Sequence, residues 1–132
     1  MCVPTAITGL LIYPDFYKVG VSINGDSDHR LFPKAEFGDT GRYPFHEAFA
    51  GNLKGKLFMI HGMLDDVEPV TMTLRMVEAF KNANKSFDLL LLPNCGHDIG
   101  AYGIRRAWDY VVEHLLHETP PNNFNLKCMP NE

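Results

Sequence analysis

No apolar run in the chain approaches the ~20 residues that span a bilayer, and Met1-Cys2-Val3-Pro4 shows no basic stretch leading into a hydrophobic one. No membrane partner is expected, and a leader upstream in a longer protein stays open. Lysine and arginine are few and scattered, 12 against 16 acidic residues, for a formal charge of -4. Phosphate backbones are held by clustered cations, so no nucleic-acid partner is expected either. Cysteine is scarce: Cys2, Cys95 and Cys128 are odd in number and lack C-x-x-C spacing. Neither a disulfide framework nor a zinc site follows, and the compartment stays open. Serine is scarcer than usual as well, with only Ser22, Ser27 and Ser86, none of them in a G-x-S-x-G turn. Internal repeats and low-complexity tracts are missing.

What is present is the composition of a globular domain, 45% hydrophobic and 21% charged over 132 residues, enough for one core. Short β-type runs alternate with helical stripes, the pattern of an α/β domain with a mainly parallel sheet and crossover helices. Residues 17 to 23 place Tyr17, Val19, Val21 and Ile23 on one face by period two. Leu57 to Ile60 and Leu89 to Leu92 are continuous apolar runs, expected as central strands covered on both faces. Between them Val70, Leu74, Val77 and Phe80 mark a helix that starts at Pro69 and ends near Asn84. Ile104, Trp108, Val111, Val112 and Leu115 mark another, stopped by Thr119-Pro120-Pro121. Ala6, Ile7, Leu10 and Leu11 read as the last turns of a helix that begins before Met1 and breaks at Pro14. Residues 24 to 50 read as a long connection with a short helix around Phe45 to Phe49.

The chemistry gathers at two strand exits. Directly after Ile60 come His61, Gly62 and a loop holding Asp65, Asp66 and Glu68, and directly after Leu92 comes Pro93-Asn94-Cys95-Gly96-His97-Asp98. Ligands and catalytic groups collect at the carboxyl ends of strands in open parallel sheets. Asp65 and His97 are 32 residues apart, the length of one strand-loop-helix-strand crossover. Adjacent parallel strands lie about 4.8 Å apart, so loops leaving the same edge can bring the two side chains into hydrogen-bonding range. A carboxylate on an imidazole fixes its tautomer and stabilises the imidazolium formed when it takes a proton from a nucleophile.

Plainer readings compete at each position. An Asp in such a loop is commonly a helix cap, and Asp66 is expected to fill that role for the helix that follows. His61 is expected to shape the acid loop. Cys95 at a strand exit is read as a small inert hydrophobe rather than a thiol nucleophile. His29, His46, His114 and His117 share no metal-ligand pattern, the close His114/His117 pair being read as polar helix face. Asp26, Asp28 and Asp39 lack the Gly and distal Glu of a calcium loop and are read as solvated turn.

The stretches YPDFYKVGVS, NLKGKLFMIHG, LDD-x-x-P, LRMVEAFKNANKSFDLLLLPNCGH and the closing aromatic helix resemble, in order, the C-terminal half of the catalytic domain of the prolyl oligopeptidase family. Its dipeptidyl aminopeptidase IV and acylaminoacyl peptidase branches are the most similar, over roughly residues 5 to 117. The resemblance implies a truncated α/β-hydrolase fold of about three parallel strands with crossover helices. Residues 1 to 119 would be the C-terminal part of a peptidase catalytic domain, and 120 to 132 a tail. By the same resemblance Asp65 matches the triad acid and His97 the triad base, and no cofactor is needed. The serine, on its G-x-S-x-G-G turn, would fall about half a dozen residues before Met1. Val67 stands where aminopeptidase members often have an Asn that binds the peptide carbonyl.

Three functions follow as expectations: a serine peptidase acting on peptides in the complete protein, an esterase of the same fold, or an inactive oligomerising domain. In the family fold the strand at 17 to 23 pairs on its outer side with the strand that leads to the serine. Without that neighbour the exposed sheet edge is expected to make the chain a homo-oligomer.

Overall fold

The computed structural model describes residues 5–25, 46–122 and 124–126. The start of the first helix before Thr5, the aspartates at 26, 28 and 39, Ser27, His29 and most of the connection between 24 and 50 lie outside the described residues.

The alternation read from the sequence produces helix α1 (Thr5–Ile12), strand β1 (Val19–Ile23), a 3-10 turn (His46–Asn52), strand β2 (Lys56–Gly62), helix α2 (Thr71–Asn82), strand β3 (Asp88–Leu92) and helix α3 (Gly100–Leu115). The three strands form one parallel sheet in the order β1-β2-β3, with Gly20 opposite Leu57 and Phe58 opposite Asp88. Strand β2 is covered on both faces, as its unbroken apolar run requires. Leu57 and Met59 join Ile7, Leu10, Leu11, Met76 and Phe80 beneath α1 and α2, while Phe58 and Ile60 join Ile99, Ala107 and Tyr110 beneath α3. The expectation that Leu89 to Leu92 is central does not hold, because β3 is an edge among the described strands. It reads as continuously apolar because it too has two covered faces, Leu89 packing on the first cluster and Leu90 and Leu92 on the second.

Both helices turn only part of the expected stripe to the core: Phe80 is buried and Val77 and Ile104 pack against the clusters, but other members face out. In α2 the buried residues are Met72, Thr73, Met76 and Phe80, with Leu74 42% exposed. In α3 they are Gly103, Ala107, Asp109 and Tyr110, with Trp108 63% exposed. The physical reason is what the contact has room for. Small Ala107 packs with Phe58 and Ile60, Gly103 leaves space for the Ile99 side chain, which a Cβ there would meet at 2.8 Å, and Tyr110 stacks on Phe58 at 4.8 Å while its hydroxyl donates to Asp88 at 2.8 Å.

Helix α2 ends where the sequence places it, through a local device. Asn84 takes φ +52, its N–H bonds Lys81 O at 3.0 Å, and Lys85 N–H bonds Phe80 O at 2.9 Å. These are the two bonds of a Schellman close, with Asn in the left-handed position usually given to Gly.

Candidate active site

Each element delivers its functional group at the carboxyl end of a strand. Past β2 the chain turns back on itself, and the Asp65 N–H bonds Gly62 O at 3.2 Å. One oxygen of the Asp65 carboxylate, Oδ1, accepts the N–H groups of Val67 and Glu68, both at 2.9 Å. This is the self-bonding habit of Asp in turns, and it fixes the direction of the second oxygen. Oδ2 accepts from Nδ1 of His97 at 2.9 Å. The carboxylate is fully buried and the His97 side chain 41% exposed. Because Nδ1 donates to the acid, Nε2 is the nitrogen left to take up a proton. Among the described residues it has no hydrogen-bond partner.

Burial alone would push the Asp65 carboxyl upward and is the largest single influence on it. The Glu68 N–H, the His97 ring, the Val67 N–H and the charge His97 can carry outweigh it and hold the carboxyl below the ordinary carboxylate value. An acid depressed in the folded state stabilises the fold fully above its unfolded pKa of ~3.9, and that contribution is lost as pH falls through the lower folded value. Urea midpoints taken from neutral pH down to the acid limit should therefore drop more steeply for the unmutated chain than for Asp65→Asn. Parallel curves would contradict this.

His61 is the structural brace expected of it. It is wholly buried, its Nε2 donates to Glu68 O at 2.8 Å, and its Nδ1 meets the Thr73 hydroxyl at 2.8 Å. The acid loop is thereby tied across its base to the first turn of α2. The same Nε2 passes 3.8 Å from Asp65 Oδ2, so the imidazole also lines the back of the carboxylate.

One expectation about this loop needs adjustment. Asp66 does not cap α2: the helix begins after Val70 with no side-chain cap bond, and Asp66 is exposed. Its first turn is closed from Pro69 instead, whose carbonyl accepts the Met72 N–H at 3.0 Å. Cys95 is half-buried, with its thiol 3.8 Å from Ile99 O. Its backbone matters more, since Leu64 N–H donates to Cys95 O at 2.9 Å and Met63 N–H to Leu92 O at 3.0 Å. The acid loop and the histidine loop are laced together. Room for that lacing exists because position 62 is glycine: a Cβ there would stand 2.0 Å from Gly96 O and 2.6 Å from Cys95 O.

Asn24 is the residue that sequence reasoning passed over. It follows β1 directly, is 2% exposed, and its amide reaches both the Gly62 N–H and the His97 carbonyl. The available signal was an Asn-Gly pair at the carboxyl end of a parallel strand, which reads as a plain turn until the strand's neighbours are considered.

A family model described as the prolyl oligopeptidase family matches residues 6–118. Among solved structures, dipeptidyl peptidase 4 of Porphyromonas gingivalis is similar at 20% identity and a TM-score of 0.71, over 86% of this chain and 18% of that one. The acylaminoacyl peptidase of Pyrococcus horikoshii is similar at 20% identity and a TM-score of 0.65, over 86% of this chain and 22% of that one. The chain thus spans about a fifth of the length of these structures. No curated protein matches it. At these identities the likeness establishes the fold, and the three parallel strands with their helices are those of an α/β-hydrolase.

Proposed function

The chain belongs to the prolyl oligopeptidase family, and from that membership we propose that Asp65 and His97 are the acid and base of a serine-peptidase site. The observation that carries the reading is the 2.9 Å bond between a buried carboxylate and Nδ1 of a half-exposed imidazole, at adjacent strand exits. In a protein that also carries the serine, its hydroxyl would give its proton to His97 Nε2 as the oxygen attacks a peptide carbonyl. His97 would then pass that proton to the leaving amine, and water would release the acyl group by the same relay. Asp65 stays ionised throughout and holds the ring. Chemistry of this kind needs no cofactor. The exposed Val67 beside the acid is one apolar surface a peptide substrate would meet.

Among the described residues no serine bonds to His97. Ser22 is buried within β1, and Ser86 precedes β3 at the opposite end of that strand from His97. A fluorophosphonate probe should leave this polypeptide unlabelled and should label a version that includes a G-x-S-x-G segment. Stoichiometric modification of Ser22, Ser27 or Ser86 would overturn the reading. Hydrolysis of a peptide anilide against a nitrophenyl ester by that longer version separates peptidase from esterase.

The outer edge of β1 supports a second proposal. It pairs with no strand among the described residues, and Tyr17 and Ile23 beside it are 45% and 43% exposed. Such an edge is a template for another strand, and a second copy is the partner proposed for the 132-residue chain on its own. Sedimentation velocity at micromolar concentration should show a dimer that Ile23→Lys weakens. A monodisperse, folded monomer before mutation would refute self-association.

A further inference from the structure

We propose that Asn24 is a positioning residue of this site, setting the backbone from which the His97 ring meets Asp65; the proposal rests on reading that pair as acid and base. The Asn24 N–H donates to Ile60 O at 2.8 Å and so continues the β1-β2 ladder by one rung. Its side chain supplies what the backbone cannot. Oδ1 accepts the Gly62 N–H at 2.9 Å, and Nδ2 donates to the carbonyl of His97 itself. Those partners leave the amide one orientation, because an N–H can only donate and a carbonyl can only accept.

One side chain therefore joins the ends of β1 and β2 to the loop after β3. It does so on both sides of the Asp65–His97 bond, at the root of the acid loop and at the peptide of the base. A plain turn residue would not need this. Asn-Gly turns ordinarily leave the Asn side chain in water, whereas this one is 2% exposed with acceptor and donor both used. The backbone reports the same demand. Asn24 sits at φ +44, a conformation glycine adopts without cost and other residues resist. Asn is the side chain that best tolerates this region while still reaching two strand ends.

The chemistry singles out two substitutions. Asn24→Asp keeps size and shape but turns the donor into an anionic oxygen facing the His97 carbonyl. Asn24→Gly keeps the backbone conformation and removes both bonds. The readout is the His97 ring by nitrogen-edited NMR on the 132-residue chain, followed as the Nδ1–H resonance that the bond to Asp65 holds in place. The buried Nε2–H of His61 serves as internal control for the integrity of the same loop.

Both variants should lose the His97 resonance and retain that of His61, and Asp65→Asn should lose it too. If Asp65→Asn removes the resonance while Asn24→Gly, folded, keeps it at full intensity, Asn24 has no positioning role. Should Asp65→Asn leave it unchanged, the acid-base pair itself fails and this proposal falls with it. Loss of both histidine signals in both variants would leave the unmutated chain to decide. A scalar coupling across the hydrogen bond from Asn24 Nδ2 to the His97 carbonyl carbon sustains the proposal, and its absence ends it.

Discussion

Asp65→Asn, in a version of the protein that carries the serine, should lower kcat on the order of 10⁴-fold while leaving the protein folded. The size follows from the two jobs of the carboxylate. Asn can keep the first, since its Oδ1 can still accept the Val67 and Glu68 N–H groups that shape the loop. The second is reversed, because an NH₂ group now faces His97 Nδ1 where an acceptor stood. The ring answers by moving its proton to Nε2, the position that must be empty to receive the proton of the serine. Such a variant binds substrate and cannot start the reaction. Single-turnover rates on a peptide anilide, with a thermal midpoint as the fold control, make the test. A loss below about tenfold with an intact fold would remove Asp65 from the role. Asp66→Asn gives the contrast: that side chain is exposed and caps nothing, and its rate should stay within about twofold.

Gly62→Ala should be the most damaging single methyl that can be added to the described chain near the site. A Cβ at this position meets backbone atoms, Gly96 O at 2.0 Å and Cys95 O at 2.6 Å, and backbone cannot swing aside as a side-chain tip does. Either β2 or the turn after β3 must shift, breaking the Leu64-to-Cys95 and Met63-to-Leu92 bonds that lace the loops. Overpacking commonly costs 1–3 kcal/mol, and the added bond losses place this case at about 3 kcal/mol or more. That is a large part of the roughly 5–15 kcal/mol that holds a typical domain together. Gly51→Ala, where a Cβ meets nothing within 4 Å, should change stability by less than about 0.5 kcal/mol. Urea midpoints of the two variants compare them directly, and equal midpoints would show that the site tolerates the methyl.

The site was legible to the extent that it follows chain arithmetic. A 32-residue crossover between parallel strands brings Asp65 and His97 to neighbouring loops whatever the intervening side chains. The strand runs were legible for a related reason, since a strand with two covered faces has no polar alternation to hide it. Helix faces were legible only in part. Counting large apolar residues put Leu74 and Trp108 inward, yet α3 turns Ala107 and Tyr110 to the sheet and Gly103 to Ile99. Small residues carry little hydrophobic signal.

The cap was misassigned because two adjacent aspartates offer the same chemistry. Only the fold reveals that Asp65 bonds its own loop and the histidine together, leaving Asp66 to water. Asn24 stayed hidden because its partners are the N–H of a glycine and the carbonyl of a histidine 73 residues away. Backbone groups have no letter in a sequence.

The pairing of Asn24 with Gly25 also gives the protein a chemical clock. In an unfolded chain the Gly25 nitrogen, with no Cβ beside it, can attack the Asn24 side-chain carbonyl; ammonia leaves, and water opens the ring to aspartate or isoaspartate. In the fold that amide is buried and held at both ends, so those two bonds must break before its carbonyl can turn to the Gly25 nitrogen. Ageing at this position is thereby restricted to the moments when the edge of the sheet opens. Each such event writes an acid next to the His97 carbonyl, so the history of the molecule's openings accumulates as damage at one of the two places where the histidine is held.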